Sequence, residues 1–237
     1  MGKKRKIFLS FLLCILMTFT TSMPVSAQPV ANEDIESDAT MYSVIDIENY
    51  SNEIMLGKKV VLPDGAVLTP ISKDEYVSRL AKEKNISIEE AYELESADNS
   101  MSRSTSIESY IDYSKDFTYP GNSSFKSTLL ATLKIKTWQG GAVQIQNVLS
   151  VSSQRKSGLY LYDWVQTDAF SDPTENGSGF PVTKAVLTAK GYFTVEVDTS
   201  VTGTVKLLGF SIDVTVGTVI KYISNNTVLR DTVNLYP

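Results

Sequence analysis

Two stretches of this chain gather side chains able to do chemistry. "TDAFSDPTENGSG", residues 167–179, brings together Asp168, Asp172, Glu175 and Asn176, oxygen donors set beside glycines as in a Ca²⁺-binding loop. Their spacing departs from the alternate-position ligand pattern of such loops, so a solvated acidic loop is expected and no metal is assigned. "GLYLYDWVQ", residues 158–166, alternates Leu159, Leu161 and Val165 with Tyr160, Tyr162 and Trp164. If the aliphatic row enters the core, the three aromatic side chains stand in line on the outer face. Such a row suits stacking on sugar rings or anchoring a protein partner, because each ring combines wide apolar contact with a polar or polarisable handle. The competing expectation is a central strand covered on both faces. Tyr160, Tyr162 and Trp164 are the expected binding residues, on condition that they are exposed.

The residue types that are missing narrow the chemistry further. Cys14 is the sole cysteine and the chain has no histidine. Beyond residue 27 there is therefore no thiol nucleophile, no Ser-His-Asp triad, no imidazole base and no thiolate or imidazole zinc site. An enzyme built from these residues would run on carboxylates, lysine, tyrosine or hydroxyls. Sequence alone does not single out two acids as an acid/base couple, so no catalytic residue and no cofactor are assigned.

The first 27 residues read as an export signal. Lys3, Lys4, Arg5 and Lys6 form a basic start, Ile7 to Phe19 an apolar run, and Val25-Ser26-Ala27 a small-residue cleavage site, with cleavage expected after Ala27. The apolar run is too short for a spanning helix. Cys14 lacks the small preceding residues of a lipidated cysteine, and no Leu-Pro-x-Thr-Gly signal precedes the C-terminus. A secreted, extracellular product is expected. Without disulfides, its stability would rest on core packing.

Charge divides the remainder. Residues 28–108 carry 17 acidic and 7 basic side chains, residues 109–237 carry 10 and 11. Neither part holds the dense basic stripe that a phosphate backbone requires, so nucleic acid is not an expected partner.

Residues 28–42 are acidic and poor in apolar side chains, as in a disordered leader. "KKVVLPDGAVL" offers Pro63-Asp64-Gly65 between two β-branched runs, either a short hairpin or an extended loop. Residues 72–96 carry two helix starts. Ser72 with Glu75 and Ser87 with Glu90 are capping boxes, and Ile71 with Tyr76 forms a hydrophobic staple. Tyr76, Val77, Leu80 and Ala81 line one helical face, and Ala91, Tyr92 and Leu94 the next. A DNA-reading helix pair is excluded by Glu89, Glu90, Glu93 and Glu95 on the second helix, which would repel phosphate.

The segment "DEYVSRLAKEKNISIEEAYELE" resembles the helical segment near the N-terminus of uncharacterised secreted proteins of Gram-positive bacteria, where it precedes a β-rich domain. The resemblance covers about 25 residues and implies this layout and compartment, with no activity attached.

Residues 97–108 are small, polar and aperiodic, an expected linker. From residue 109 to 237, short alternating runs recur between Gly, Pro and Asn turns, with no helical period. This pattern predicts an antiparallel β-sandwich, with a barrel as the alternative. Within it, "YFTVEVDTSVTGTVKLLGFSIDVTVGTVIKY", residues 192–222, reads as a hairpin turning near Leu208-Gly209. Phe193, Val195, Val197, Val201, Val205 and Leu207 make one apolar row, and Phe210, Ile212, Val214 and Val216 another on the same face. A core hairpin is the favoured expectation, and a membrane-inserting one the alternative.

Taken together, the residues point to a secreted, non-enzymatic binding module with a small acidic helical region ahead of the β-domain. A glycan, cell-wall or host-protein surface is the expected partner class. The alternatives are a membrane-active protein kept silent by its N-terminal region, and a carboxylate-based hydrolase.

Overall fold

The computed structural model describes residues 41–44, 50, 53–54, 56–97, 106–138, 142–156, 162–173, 179–202, 207 and 209–235. The expected signal segment, most of the leader, and Arg103 in the expected linker lie outside these residues. The elements in chain order are β1 (Met41–Val44), β2 (Val60–Val61), β3 (Val67–Ile71), α1 (Lys73–Lys84), α2 (Ile88–Ala97), β4 (Ser106–Thr118), β5 (Lys126–Trp138), β6 (Val143–Arg155), β7 (Tyr162–Pro173), β8 (Lys184–Asp198), the single helical turn α3 (Thr199–Thr202), β9 (Phe210–Val216), β10 (Val219–Ser224) and β11 (Thr227–Asn234).

The strands form two open sheets, a mainly β architecture consistent with a β-sandwich; neither sheet closes into a barrel. One sheet runs β2-β3-β4-β5-β6, antiparallel throughout. The other is built around β8. β7 lies along one side of β8, while β11 pairs with its first half and β10 with its last five residues. β10 and β11 therefore follow one line interrupted at Asn225-Asn226. Outboard of that line, β9 pairs with β10, and β1 pairs in parallel with β11. Met41 and Tyr42, expected at the end of the leader, are thus strand residues.

Period-two alternation sets the inner faces. Ile111 and Tyr113 on β4, Leu129, Ala131, Leu133 and Ile135 on β5, and Leu187 and Phe193 on β8 meet Leu229 and Val233 of β11 in one core. The two sheets approach each other at the β6 and β7 edges. There Ile145 and Val182 exchange backbone hydrogen bonds, and Arg155 donates to the Tyr162 carbonyl.

Residues 60–97, expected in a region apart from the β-domain, supply two strands and a cover to the same sheet. "KKVVLPDGAVL" is the hairpin reading: β2 pairs with β3, and Asp64 accepts from the Ala66 N–H across the turn. β3 then pairs with β4 from Val67↔Ser114 to Ile71↔Tyr110. The helix starts are the expected ones. Ser72 Oγ accepts from the Glu75 N–H, and Ser87 and Glu90 cap each other reciprocally. Asn85, at φ 52°, ends α1 in the left-handed conformation that its short amide side chain tolerates. Tyr76, Val77, Leu80, Ala81 and Ala91 pack with Tyr110 on the outer face of the sheet, so the inner strand β5 is covered on both sides.

Candidate functional site

The expected aromatic row lies the other way round. Tyr162 is 5% and Trp164 7% exposed, both inside the sandwich, while Val165 faces outward; Tyr160 lies outside the described residues. Stacking on a ligand from solvent is therefore closed to Tyr162 and Trp164. Inside, their rings join an aromatic cluster with Phe125 and Phe193. Trp164 and Tyr162 each meet Phe193 edge-on, and Phe125 tilts against Tyr162. Both polar tips are satisfied in place. The Trp164 indole donates to Ser153 Oγ at 2.8 Å, and the Tyr162 hydroxyl donates to the Lys126 carbonyl at 3.0 Å. Gly191 makes room for the Trp164 ring, since a Cβ there would sit 2.6 Å from it.

Asp168 and Asp172 sit on the exposed part of β7, Glu175 and Asn176 lie outside the described residues, and no group of three potential metal ligands forms among those described.

The 192–222 segment departs most from expectation. β8 pairs with β10 and not with β9, and the tight turn falls at Gly217-Thr218, joining β9 to β10. Gly217, at φ +61°, takes the first turn position, where a left-handed residue matches the twist of the strands. Phe210 packs on the core, but Ile212, Val214 and Val216 are 60%, 47% and 69% exposed. The core expectation holds for Phe193 and fails for these three, because among the described residues no second sheet lies against β9. Directly opposed residues of an antiparallel pair share a face. Ile212 opposes Tyr222, whereas Val214 opposes Lys221 and Val216 opposes Val219, with a bulge between Lys221 and Tyr222. The bulge thus places Ile212 on one face and Val214 and Val216 on the other, dividing a row expected on a single face.

Two buried charge clusters went unrecognised in the sequence. Under α2, Lys134 Nζ lies 2.6 Å from Glu95 and 3.5 Å from Glu108, and the Tyr110 hydroxyl donates to Glu95 at 2.7 Å. Burial, reinforced by Glu95 and Glu108, pushes the Tyr110 phenol well above its ordinary range. Glu95, one of the four acids that set the second helix against phosphate, is buried; Leu94, expected on the apolar face, is exposed. Between the sheets, Lys115 Nζ lies 2.9 Å from Asp231 and 2.8 Å from Asp64, and the Tyr113 hydroxyl donates to the same Asp231 oxygen. Burial works against the Lys115 charge, yet hydrogen bonds to Asp64 and Asp231 outweigh it and hold the amine above its ordinary value. These acids face a lysine within the protein.

A small cavity of about 30 Å³ lies at the sandwich end between Tyr119, Ser127, Phe193 and Leu229, room for no more than a couple of waters. Comparison of the chain with protein-family models, with the curated proteins and with the solved structures finds no match.

Proposed function

We propose that this chain is an exported, non-enzymatic interaction protein, and that the β9–β10 hairpin is its contact element. The observation that carries the reading is the exposure of Ile212, Val214 and Val216 on a strand that, among the described residues, pairs on one side only. An edge strand offers a row of backbone donors and acceptors to any extended segment laid beside it, and its apolar side chains add affinity and selectivity. The favoured partner is therefore a protein segment in extended conformation. The divided apolar row argues against regular membrane insertion, which requires one apolar face along the whole strand. The basic n-region, apolar run and small-residue site of residues 1–27 support export.

The test is a photo-crosslinking residue at Thr215, with a second at the exposed Lys58 as control, applied to cells that display or receive the protein. Protein adducts at Thr215, absent at Lys58 and lost in Val214→Asp, are the expected result. Vesicle-dependent protection of the β9 amides from hydrogen exchange, without protein adducts, would replace this reading with the membrane-active one.

A further inference from the structure

We propose that Lys115 and Asp231 become joined in the folded protein by an intramolecular amide bond between Nζ and Cγ, with Asp64 carrying protons for the reaction. The two residues occupy core positions on facing sheets. Lys115 follows Ile111 and Tyr113 on the inner face of β4, and Asp231 stands between Leu229 and Val233 on the inner face of β11. Their side chains are 5% and 0% exposed, and Nζ lies 2.9 Å from an oxygen bonded directly to the carbon it would attack.

The neighbouring groups match what amide formation needs. Asp231 Oδ1 accepts from the Thr232 N–H at 2.9 Å, a fixed donor for the oxygen that gathers charge when nitrogen adds to Cγ. The Tyr113 hydroxyl donates to Oδ2, the oxygen that departs. Asp64 accepts from Nζ at 2.8 Å and is held in place by the Ala66 N–H. The resting pair is ionic, since both acids favour charged Lys115. Passing one proton from Nζ by way of Asp64 to Asp231 Oδ2 frees the nitrogen lone pair and leaves Asp231 a neutral carboxyl, the form that an amine attacks.

The balance closes within the site. The Nζ–Cγ bond forms and the Cγ–Oδ2 bond breaks. Of the three ammonium protons, one stays on the amide nitrogen and two leave with Oδ2 as water. Asp64 relays protons from nitrogen to oxygen and ends as it began. Nothing is oxidised or reduced, and the positive and negative charges cancel.

Two physical terms favour the reaction here although it is unfavourable between free amines and carboxylates in water. Holding the partners in contact supplies the advantage of an intramolecular reaction, with effective concentrations up to about 10⁵–10⁸ M for well-oriented groups. Forming the amide also removes two charges from a site where each is costly to keep desolvated. The bond would tie one sheet to the other in a chain that has no cysteine beyond residue 27 to do so.

The experiment is intact mass measurement of the purified full-length product, with its N-terminus determined, followed by tryptic mapping. The expected mass is lower than the sequence mass by about 18 Da, one water, with a branched peptide joining the segments that contain Lys115 and Asp231. A protein at its sequence mass, or a water loss mapping elsewhere without the branch, overturns the proposal. Asp64→Asn tests the relay. Asp64 sits at the rim, so this variant is expected to fold, by its far-ultraviolet circular dichroism, and to keep the full mass. A folded Asp64→Asn protein that still carries the branch overturns the role of Asp64. Lys115→Met paired with Asp231→Leu leaves neither charge unpaired, and should migrate more slowly than the wild type on a denaturing gel. Identical migration counts against the bond.

Discussion

Replacing Lys134 by methionine should destabilise the protein by about 3–5 kcal/mol, although methionine fills much the same space. Lys134 Nζ stands 2.6 Å from Glu95 and 3.5 Å from Glu108, and its side chain is 2% exposed. At an effective dielectric of about 20, these separations correspond to attractions of about 6 and about 5 kcal/mol, each set against several kcal/mol of desolvation per ion. The variant loses the attraction and keeps the burial of both carboxylates. Lys136, 4.0 Å from Glu108, offsets a part of the loss and keeps it within the stated range. Removing Lys134 and Glu95 together, as Lys134→Met with Glu95→Leu, should recover most of the stability, because an apolar pair of similar volume replaces the ion pair. Urea denaturation at neutral pH reads both variants, with the slope expected to stay constant and the midpoint to move. Salt should change the difference little, since the pair is shielded from solvent. If Lys134→Met costs under about 1 kcal/mol, or the double variant costs as much as the two single changes summed, the cluster under α2 is not the buried, coupled unit described.

Three other expectations follow from the same geometry. Gly191→Ala should cost about 1–3 kcal/mol in thermal melts, because the new Cβ would lie 2.4 Å from the Val165 carbonyl oxygen and 2.6 Å from the Trp164 ring. Val214→Asp should leave stability within about 0.5 kcal/mol of wild type, because the position is exposed and opposes Lys221; a large loss in denaturant titration would mean that β9 is covered. Burial of Asp116 opposes its charge, but hydrogen bonds from Lys156 and Thr128 outweigh this and hold its carboxyl below the usual range. That stabilisation is present above the unfolded value near pH 4 and is lost as pH falls through the lower folded one, so Asp116→Asn should flatten the acid limb of the stability profile. The half-exposed pair with Lys156 limits the effect to under about 1 kcal/mol.

Local signals of the fold were legible because they act over a few residues. The Ser72 N-cap and the Ser87–Glu90 capping box fix both helix starts, and the alternation of Leu129, Ala131, Leu133 and Ile135 fixes an inner strand face. What alternation does not reveal is which way a strand turns when both of its rows are apolar. In β7 the rings of Tyr162 and Trp164 face inward, where they meet Phe193 of β8, a contact that only the assembled sandwich makes. The 192–222 segment failed for a related reason. The strand alternation stops at Asp198, where the helical turn α3 follows, the partner of β8 is β10, and the bulge beside Lys221 reverses the facing of half of β9.

The charge clusters show where the boundary of legibility lies. Lys134 and Lys136 occupy the outward row of β5, where lysine ordinarily marks a solvated face, and the docking of α1 and α2 turns that row into an interior. Lys115 and Asp231 are different, for each breaks its own row. Lys115 interrupts Ile111, Tyr113 and Phe117, and Asp231 interrupts Leu229 and Val233. A lone charge at a core position is too costly to persist, so each of these residues implies a partner of opposite sign on the facing sheet. Which two such breaks meet is set by the assembled sheets, which bring β4 of one to face β11 of the other. The third member, Asp64, comes from a turn and breaks no pattern. Its place beside Lys115 depends on β3 pairing with β4, which carries the β2–β3 turn to the end of the strand where Lys115 lies.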